Sequence, residues 1–234
     1  METLLRVCEE FADEYSVAFN ASKSQILLFK SANSNARPDL RPFQLCGSSI
    51  PYVDKALHLG TYIGHNAHIE NMKKAVSDLY TKSNILLANY QYCSPSVLCS
   101  LFKSYCTSFY GSPLWSLNAR DLSSLYICYK KCFKRVLKLN IRTRSKYLPL
   151  LLNQSDLPTL LLCRFSSFYS HCLSSSNSLV LMSAKLSINS SSTPHRNLTE
   201  IASYLACDVD FLHNCHSFVN SSLHAEYHSR LDID

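Results

Sequence analysis

Apolar residues recur at steps of three and four positions over several long stretches of the chain. This spacing places them on one face of an α-helix and predicts that the face is buried. The stretch after Asp121 shows the pattern most clearly, with Leu122, Leu125, Tyr129 and Phe133 on its apolar side. The pattern predicts helices over residues 2–16, 68–90, 95–109, 121–138, 148–172 and 197–206, with Ser94 and Pro95 marking the start of the helix over 95–109.

Short runs of β-prone residues occupy the first part of the chain, between the first two helices. They predict strands over residues 16–19, 25–30, 43–46, 49–53 and 57–63, and a polar loop over 32–41. Gly47 and Ser48 predict a hairpin turn. Gly60 is expected inside the last strand, where a glycine often marks a close approach of backbone or ligand.

The order of these elements predicts an α+β chain with four parts. Residues 1–66 hold the short strands, and residues 67–147 form a helical part. Residues 148–173 form a second helical part, interrupted by Pro149 and Pro158. Residues 174–234 combine a serine-rich segment with a C-terminal helical part; nine serines among residues 174–193 predict a linker or a partly ordered loop there.

Composition excludes several classes of protein. Apolar residues make up 47% of the 234 positions and charged residues 17%, which excludes a disordered chain. Four glycines form neither of the Gly-rich phosphate-binding motifs, and no apolar run approaches the roughly 20 residues of a membrane span. The 11 cysteines include no C-x-x-C pair and several lie at helical spacing among apolar residues. We therefore expect reduced, buried thiols and an intracellular chain.

The net charge of +6 is concentrated in one window. Residues 120–146 hold nine basic residues and one acid, Asp121, so this window carries a net charge of +8 and the other residues sum to −2. A patch of nearly one sign predicts a polyanionic partner such as nucleic acid. A solvated helix face, or a face that meets an acidic protein, is the alternative. The basic residues are Arg120, Lys130, Lys131, Lys134, Arg135, Lys138, Arg142, Arg144 and Lys146.

Two groups of side chains have the residue types that bind metal ions. Glu9, Glu10, Asp13 and Glu14 include the sequence Phe-Ala-Asp-Glu, which looks like the aromatic-x-Asp-Asp signature of polymerases. Their apolar neighbours have helical spacing, however, whereas polymerase aspartates lie on a hairpin, so we interpret them as a solvated acidic helix face. Cys207, His213, Cys215 and His216, or His224 with His228, have spacings possible for zinc but match no closed zinc module, and we predict no metal site.

The order of several short motifs resembles reverse transcriptases of LINE-type non-LTR retrotransposons. Residues 8–30 resemble the segment after the catalytic hairpin, with an aromatic-Asn-x-x-Lys-Ser turn at 19–24 and an apolar strand at 26–29. Leu57, His58, Leu59 and Gly60 are similar to the strand that follows, with Gly47 in the preceding turn. Further matches follow in the family's order at residues 85–86, 101–106, 110–115, 142–145 and 164–165, so the resemblance covers roughly residues 1–200.

The resemblance implies the end of a polymerase palm over 1–66, with a primer-grip-like antiparallel hairpin, then a helical thumb over 67–147 and a helical connector over 148–173. It implies a fragment, because the family's Mg²⁺-binding aspartates precede the part matched here, and we expect this chain alone to hold no cofactor and not to polymerise. Lys23 corresponds to a lysine near the incoming nucleotide's phosphates, where a cation offsets leaving-group charge.

The implied partners are RNA or an RNA–DNA hybrid, held by phosphate contacts, together with the N-terminal polymerase and endonuclease parts of the family; no membrane is implied. The expected nucleic-acid-binding residues combine the charge pattern with the resemblance: Lys23, His58, Gly60, Lys73, Lys74, Lys130, Lys131, Lys134, Arg135, Lys138, Arg142, Arg144 and Lys146.

Overall fold

The computed structural model describes residues 2–29, 41–64, 67–188, 192–209, 212 and 219–232. The chain is α+β and mainly helical, as the sequence predicts. It forms two compact units, residues 1–67 and 68–234, which are described separately below. Most of the loop predicted over residues 32–41 lies outside the described residues.

The first unit combines one helix with three pairs of short strands. Helix α1 spans Glu2–Glu14, and a single 3-10 turn spans Ala21–Lys23. Residues 16–19 form no strand, so that prediction was wrong: the backbone reverses at Ser16, whose φ of 51° is incompatible with an extended strand. The strands are β1 (Ile26–Leu27), β2 (Phe43–Leu45), β3 (Ser48–Ile50), β4 (Tyr52–Val53), β5 (Lys55–His58) and β6 (Thr61–Gly64).

Two of the strand pairs are tight antiparallel hairpins. Cys46 and Gly47 connect β2 to β3 with φ of 49° and 73°, and Leu59 and Gly60 connect β5 to β6 with φ of 46° and 80°. Two consecutive positive φ angles match the right-handed twist of paired strands, which is why glycine is favoured in such turns. The hairpin predicted at Gly47 is confirmed, one residue earlier than expected. Gly60, expected inside a strand, lies in a turn instead.

The remaining pair departs from the antiparallel expectation. Strand β1 pairs with β4 in parallel, with Ile26 opposite Tyr52 and Leu27 opposite Val53. The β2–β3 hairpin lies between these strands in sequence, so the chain returns to β1 in the same direction. A small apolar cluster of Ala21, Leu45 and Ile50 forms the core of this unit, with Leu5, Cys8 and Ile26 packed against it.

The second unit is built from helices, and the predicted helices are confirmed to within a few residues at most ends. Helix α2 begins at the end of the first unit. Helix α3 continues into a wider π-helical segment, Phe102–Cys106, and a 3-10 turn follows at Ser112–Leu114. The helices are α2 (Ala67–Tyr90), α3 (Pro95–Leu101), α4 (Ala119–Val136), α5 (Leu148–Leu151), α6 (Leu157–Leu173), α7 (Ser178–Ile188), α8 (Thr193–Leu205) and α9 (Val219–Asp232).

Helix starts follow the local sequence. Prolines occupy the first turns of α3, α5 and α6, where a missing backbone N–H costs no helical hydrogen bond. Asp156 caps α6 by accepting a hydrogen bond from the Thr159 N–H at 3.1 Å. Ser94 occupies the predicted cap position of α3, but its side chain makes no capping bond there and its hydroxyl contacts that of Ser96 at 3.1 Å.

The serine-rich segment is not a linker over its whole length. Residues 178–188 form α7, because four consecutive apolar residues at 179–182 and the buried Ala184 offset the weak helix preference of the serines. Asn177 starts the helix by accepting from the Leu179 N–H at 3.0 Å, and Tyr169 of α6 donates to the Ala184 carbonyl at 3.1 Å. Residues 189–191 lie outside the described residues.

One apolar core holds the second unit together. The fully buried side chains of Leu79, Phe102, Phe133 and Phe165 belong to it, and Ile201 and Leu223 extend it into α8 and α9. The parts expected as separate thumb, connector and C-terminal segment therefore share a core. The described cysteines are free thiols, and four of them are buried as the sequence predicts. Burial raises the pKa of the Cys106 thiol to about 11, so this thiol stays neutral, whereas a hydrogen bond with Cys128 lowers the pKa of Cys132.

Asn197 of α8 ties the C-terminal helices to the segment before α4. Its side-chain oxygen accepts from the Leu117 N–H at 2.9 Å, and its amide donates to the Trp115 carbonyl at 2.9 Å. Asn197 is only 1% exposed. Both partners are backbone groups, so one side chain satisfies two polar groups of a buried segment.

We predict that Asn197→Ala lowers the free energy of unfolding by about 2–4 kcal/mol, because two backbone groups lose their partner. Urea denaturation measures this change. The matched control is Thr199→Ala on the exposed side of the same helix, expected to change stability by less than about 0.5 kcal/mol. Equal effects of the two substitutions would contradict the bridging role of Asn197.

Candidate nucleic-acid interface

Helix α4 separates its core residues from its cations. Leu125, Phe133 and Val136 are fully buried, and the Phe133 ring lies 4.9 Å from that of Phe102. Tyr129 is also buried, with its ring 5.6 Å from the Phe102 ring, so it packs in the core and does not offer a surface for base stacking. At 3.6 residues per turn the lysines of this helix fall on the opposite side. Lys131 and Arg135 are exposed there, and Lys130 and Lys134 are half-buried. Lys138, two residues after the end of α4, is also exposed.

A cavity of about 610 Å³ opens on this cationic side. We call it the basic groove. Its apolar wall is formed by Ile127, Leu139 and Ile141, of which Ile127 is 50% and Ile141 79% exposed. Its cations are Lys130, Lys131, Lys134 and Arg135. The charge pattern of the sequence predicts these cations but not the apolar wall, for which an isoleucine at 127 on the polar side of α4 is the one signal in the sequence.

Several of the cations are held in place by local contacts. Lys134 Nζ donates to the Ile141 carbonyl at 2.9 Å, and this bond holds the segment after α4 against the helix. Lys138 Nζ donates to the Gln91 carbonyl at 3.2 Å. Lys130 Nζ lies 3.8 Å from the centre of the Tyr126 ring, and this cation–π contact leaves the ammonium group charged. These contacts use backbone carbonyls or a ring, so the positive charges are not neutralised by them.

The segment after α4 extends the positive surface. Arg142, Arg144 and Lys146 are exposed, and Lys146 Nζ lies 5.2 Å from the Tyr147 ring. The Arg142 N–H donates to the Asn140 side-chain oxygen at 2.8 Å, which stabilises the turn that carries this arginine. The side chain of Arg120, the first cation of the window, lies outside the described residues.

Lys73 and Lys74 lie on α2 beside the first turns of α4. Lys73 lines a cavity of about 490 Å³ with Ser123 and Ser124 of α4. Its Nζ lies 3.7 Å from a carboxylate oxygen of Glu70, so a half-buried acid partly offsets this charge. Lys74 is half-buried. Lys73 therefore contributes less net positive charge than the cations of α4.

The remaining expected residues belong to the first unit. Lys23 is exposed at the end of the 3-10 turn, and Asn20 fixes this turn by accepting from the Lys23 N–H at 3.2 Å. His58 is the last residue of β5, and Gly60 lies in the β5–β6 turn. His58 and Gly60 share one hairpin, while Lys23 lies on a different element.

The acidic residues of α1 do not fit the Mg²⁺ site that the resemblance associates with the family. Glu9 accepts a hydrogen bond from the Cys46 N–H at 2.6 Å, and Glu10 lies 3.5 Å from Arg6 in an ion pair. Both lie on a helix, as the sequence analysis expects. Among the described residues, no three Asp, Glu, His or Cys side chains are grouped so as to hold a metal ion.

The zinc alternative is only partly covered by the structure. His213, Cys215 and His216 lie outside the described residues. His224 contacts the Ser155 hydroxyl through Nδ1 at 2.6 Å and the Cys163 thiol through Nε2 at 3.8 Å. His228 packs its ring against Tyr227. His224 and His228 thus make separate contacts.

Comparisons with known proteins give no relative for this chain: no protein family model, no curated protein and no solved structure matches it. Within the described residues, no helix combines the length and apolar character needed to cross a membrane.

We predict that the cationic side of α4 can be altered without unfolding the protein. Lys131→Glu with Arg135→Glu should change the free energy of unfolding by no more than about 1 kcal/mol, because both side chains are exposed. Phe133→Ala in the same helix should cost about 3–5 kcal/mol, because it opens a cavity in the core. Urea denaturation of both variants tests this separation, and a large loss from the double substitution would contradict it.

Proposed function

We propose that the chain binds RNA or an RNA–DNA hybrid through phosphate contacts, as the template–primer-binding part of a reverse transcriptase of the non-LTR retrotransposon type. The observation that carries this proposal is the basic groove together with its continuation through Arg142, Arg144 and Lys146. Phosphate contacts require a row of cations and no base-reading side chains, because they position a duplex without reading its sequence.

The nearly uniform positive charge favours a polyanionic partner over a helix face that meets only solvent. Exposed helix faces commonly mix acids and bases, which pair at positions i and i+4. In the window 120–146 the single acid is Asp121, at the opposite end of α4 from Lys134, Arg135 and Lys138. A partner with many negative charges would relieve the mutual repulsion of these cations.

The finer assignment of palm, thumb and connector rests on the order of motifs in the sequence. In that assignment the β5–β6 hairpin carries the primer-grip-like residues His58 and Gly60, and the helices from α2 to α4 correspond to the thumb. In the same assignment, Lys23 corresponds to the lysine near the phosphates of the incoming nucleotide. Glu9 and Glu10 of α1 make other contacts. We therefore propose binding without polymerisation by this chain alone, with the metal-binding parts supplied by other segments of the family's polymerase.

A helical protein-interaction module without a nucleic-acid role is the second candidate. The observation that favours it is the apolar wall of the basic groove, since phosphate binding does not require the exposed Ile127 and Ile141. An acidic amphipathic segment would match both the cations and the apolar wall. Binding to an RNA–DNA hybrid separates the two candidates.

We expect the chain to bind a fluorescently labelled RNA–DNA hybrid with an affinity that falls steeply with salt. About five phosphate contacts would give a slope near −4 to −5 for the logarithm of the association constant against the logarithm of salt concentration, judged by B-DNA. Fluorescence anisotropy measures the affinity. Charge reversal of Lys130, Lys131 and Lys134 to Glu should weaken binding roughly 100-fold or more.

The matched control reverses three exposed cations outside the groove, Lys103, Lys185 and Arg196, and produces the same net charge. It should weaken binding much less than the groove variant. Equal losses would show a general charge effect, and no binding by the unaltered chain would favour the protein-interaction module.

We also expect no nucleotide incorporation by the purified chain. A primer-extension assay on a primed RNA template, with Mg²⁺ or Mn²⁺ and all four deoxynucleotides, should give no product above the background of a protein-free reaction. Metal-dependent extension that is lost in Lys23→Ala would refute the proposal of binding without polymerisation, while leaving the assignment of the family untouched.

A further inference from the structure

A second cavity of about 610 Å³, the polar pocket, shares no lining residue with the basic groove. The loop before the 3-10 turn contributes Phe109, the first residue of that turn is Ser112, α6 contributes Arg164, and α9 contributes Asn220 and His224. The pocket lies entirely within the helical unit. Its size is within the range of small-molecule sites.

Two polar atoms of this pocket have no partner. The Ser112 hydroxyl oxygen and the Asn220 side-chain oxygen are buried without a hydrogen bond, although Asn220 donates through its amide to the Ser167 hydroxyl at 2.6 Å. Ser112 is only 1% exposed. In the part of the chain that the structure describes, only one other buried side-chain nitrogen or oxygen, His195 Nδ1, has no hydrogen-bond partner. Buried polar atoms usually have partners, so two in one cavity indicate a ligand that supplies them.

Arg164 gives the pocket its charge. Its guanidinium donates to the carbonyl oxygens of Thr107 at 2.8 Å and Ser108 at 3.3 Å. These two bonds leave further N–H donors on the fork of the side chain. The described lining residues include no carboxylate, and burial lowers the pKa of Arg164 by disfavouring its charged form. An anion in the pocket would compensate this charge.

The residues of the polar pocket are suited to binding a ligand and not to catalysis by the Cys163 thiol. Cys163 contacts His224, a pairing found in thiol enzymes. Burial raises the pKa of the Cys163 thiol to about 11, however, so the thiol is neutral near pH 7 and a weak nucleophile. His224 also contacts Ser155, which orients its ring.

We propose that the polar pocket binds a small phosphomonoester, such as a sugar phosphate. Arg164 and the Ser112 hydroxyl donate to the phosphate oxygens, and the Asn220 oxygen accepts from a hydroxyl of the organic part. Phe109 and Pro113 supply apolar surface for the carbon skeleton. Both unpartnered atoms gain a hydrogen bond in this arrangement.

Thermal unfolding of the full chain tests the proposal, with ribose 5-phosphate, inorganic phosphate and ribose as probes. A ligand that binds the folded state raises the midpoint temperature in a concentration-dependent manner. Ribose 5-phosphate should raise it most, inorganic phosphate less, and ribose not at all. No effect of ribose 5-phosphate, or equal effects of the two phosphates, would overturn the proposal.

Ser112→Ala should weaken ribose 5-phosphate binding about tenfold or more, while leaving the ligand-free protein as stable or more stable because an unpartnered hydroxyl is removed. Asn220→Ala should weaken ribose 5-phosphate and spare inorganic phosphate, which keeps the test decisive if the first variant does not fold. Unchanged affinity in both variants would overturn the proposal.

Two control variants test whether ribose 5-phosphate binds in the polar pocket. Ser83→Ala removes an equally buried serine whose hydroxyl donates to the Leu79 carbonyl at 2.7 Å, and it should leave the affinity unchanged. The charge-reversed groove variant of Lys130, Lys131 and Lys134 should also keep it. Loss of binding in the groove variant would place the phosphate on the basic groove and contradict the pocket. Nucleic-acid binding by the groove is measured separately, so the two proposals fail independently.

Discussion

Packing of one side of α4 against the core is the interaction on which the rest of the candidate interface depends. Phe133 and Tyr129 both contact Phe102, so the rotation of the helix about its axis is fixed by large buried rings. Once these rings are buried, Lys130 and Lys131 between them and Lys134 and Arg135 after them lie on the other side of the helix. The positive surface is therefore a consequence of core packing, and disruption of the core would disperse the charge.

The basic groove arises where this fixed helix meets the chain that follows it. Lys134 binds the Ile141 carbonyl and so brings Arg142 and its neighbours toward the same side. The contacts made by these cations preserve their charge, and the exposed isoleucines add an apolar wall. The retained positive charge favours a polyanionic partner. The apolar wall also allows contact with a partner that carries apolar groups.

Periodicity in the sequence was sufficient to predict the helices and the two faces of α4, because burial alone sets that pattern. It failed in two places. Leu59 and Gly60 both adopt positive φ, so a tight local turn divides the predicted strand, and part of the serine-rich segment forms α7, whose Ala184 carbonyl accepts a hydrogen bond from Tyr169 of α6. The bond network of Asn197 and the pocket around Ser112 join residues distant in sequence, so a single sequence gives no signal for them.

Ultraviolet crosslinking of the chain to an RNA–DNA hybrid, with the crosslinked peptides identified by mass spectrometry, locates the nucleic acid on the protein. We expect crosslinks concentrated in residues 127–146, at Lys131, Arg135 and Arg142 above all. Crosslinks concentrated elsewhere in the helical unit, with residues 127–146 unmodified, would contradict the claim that the cationic side of α4 is the binding surface.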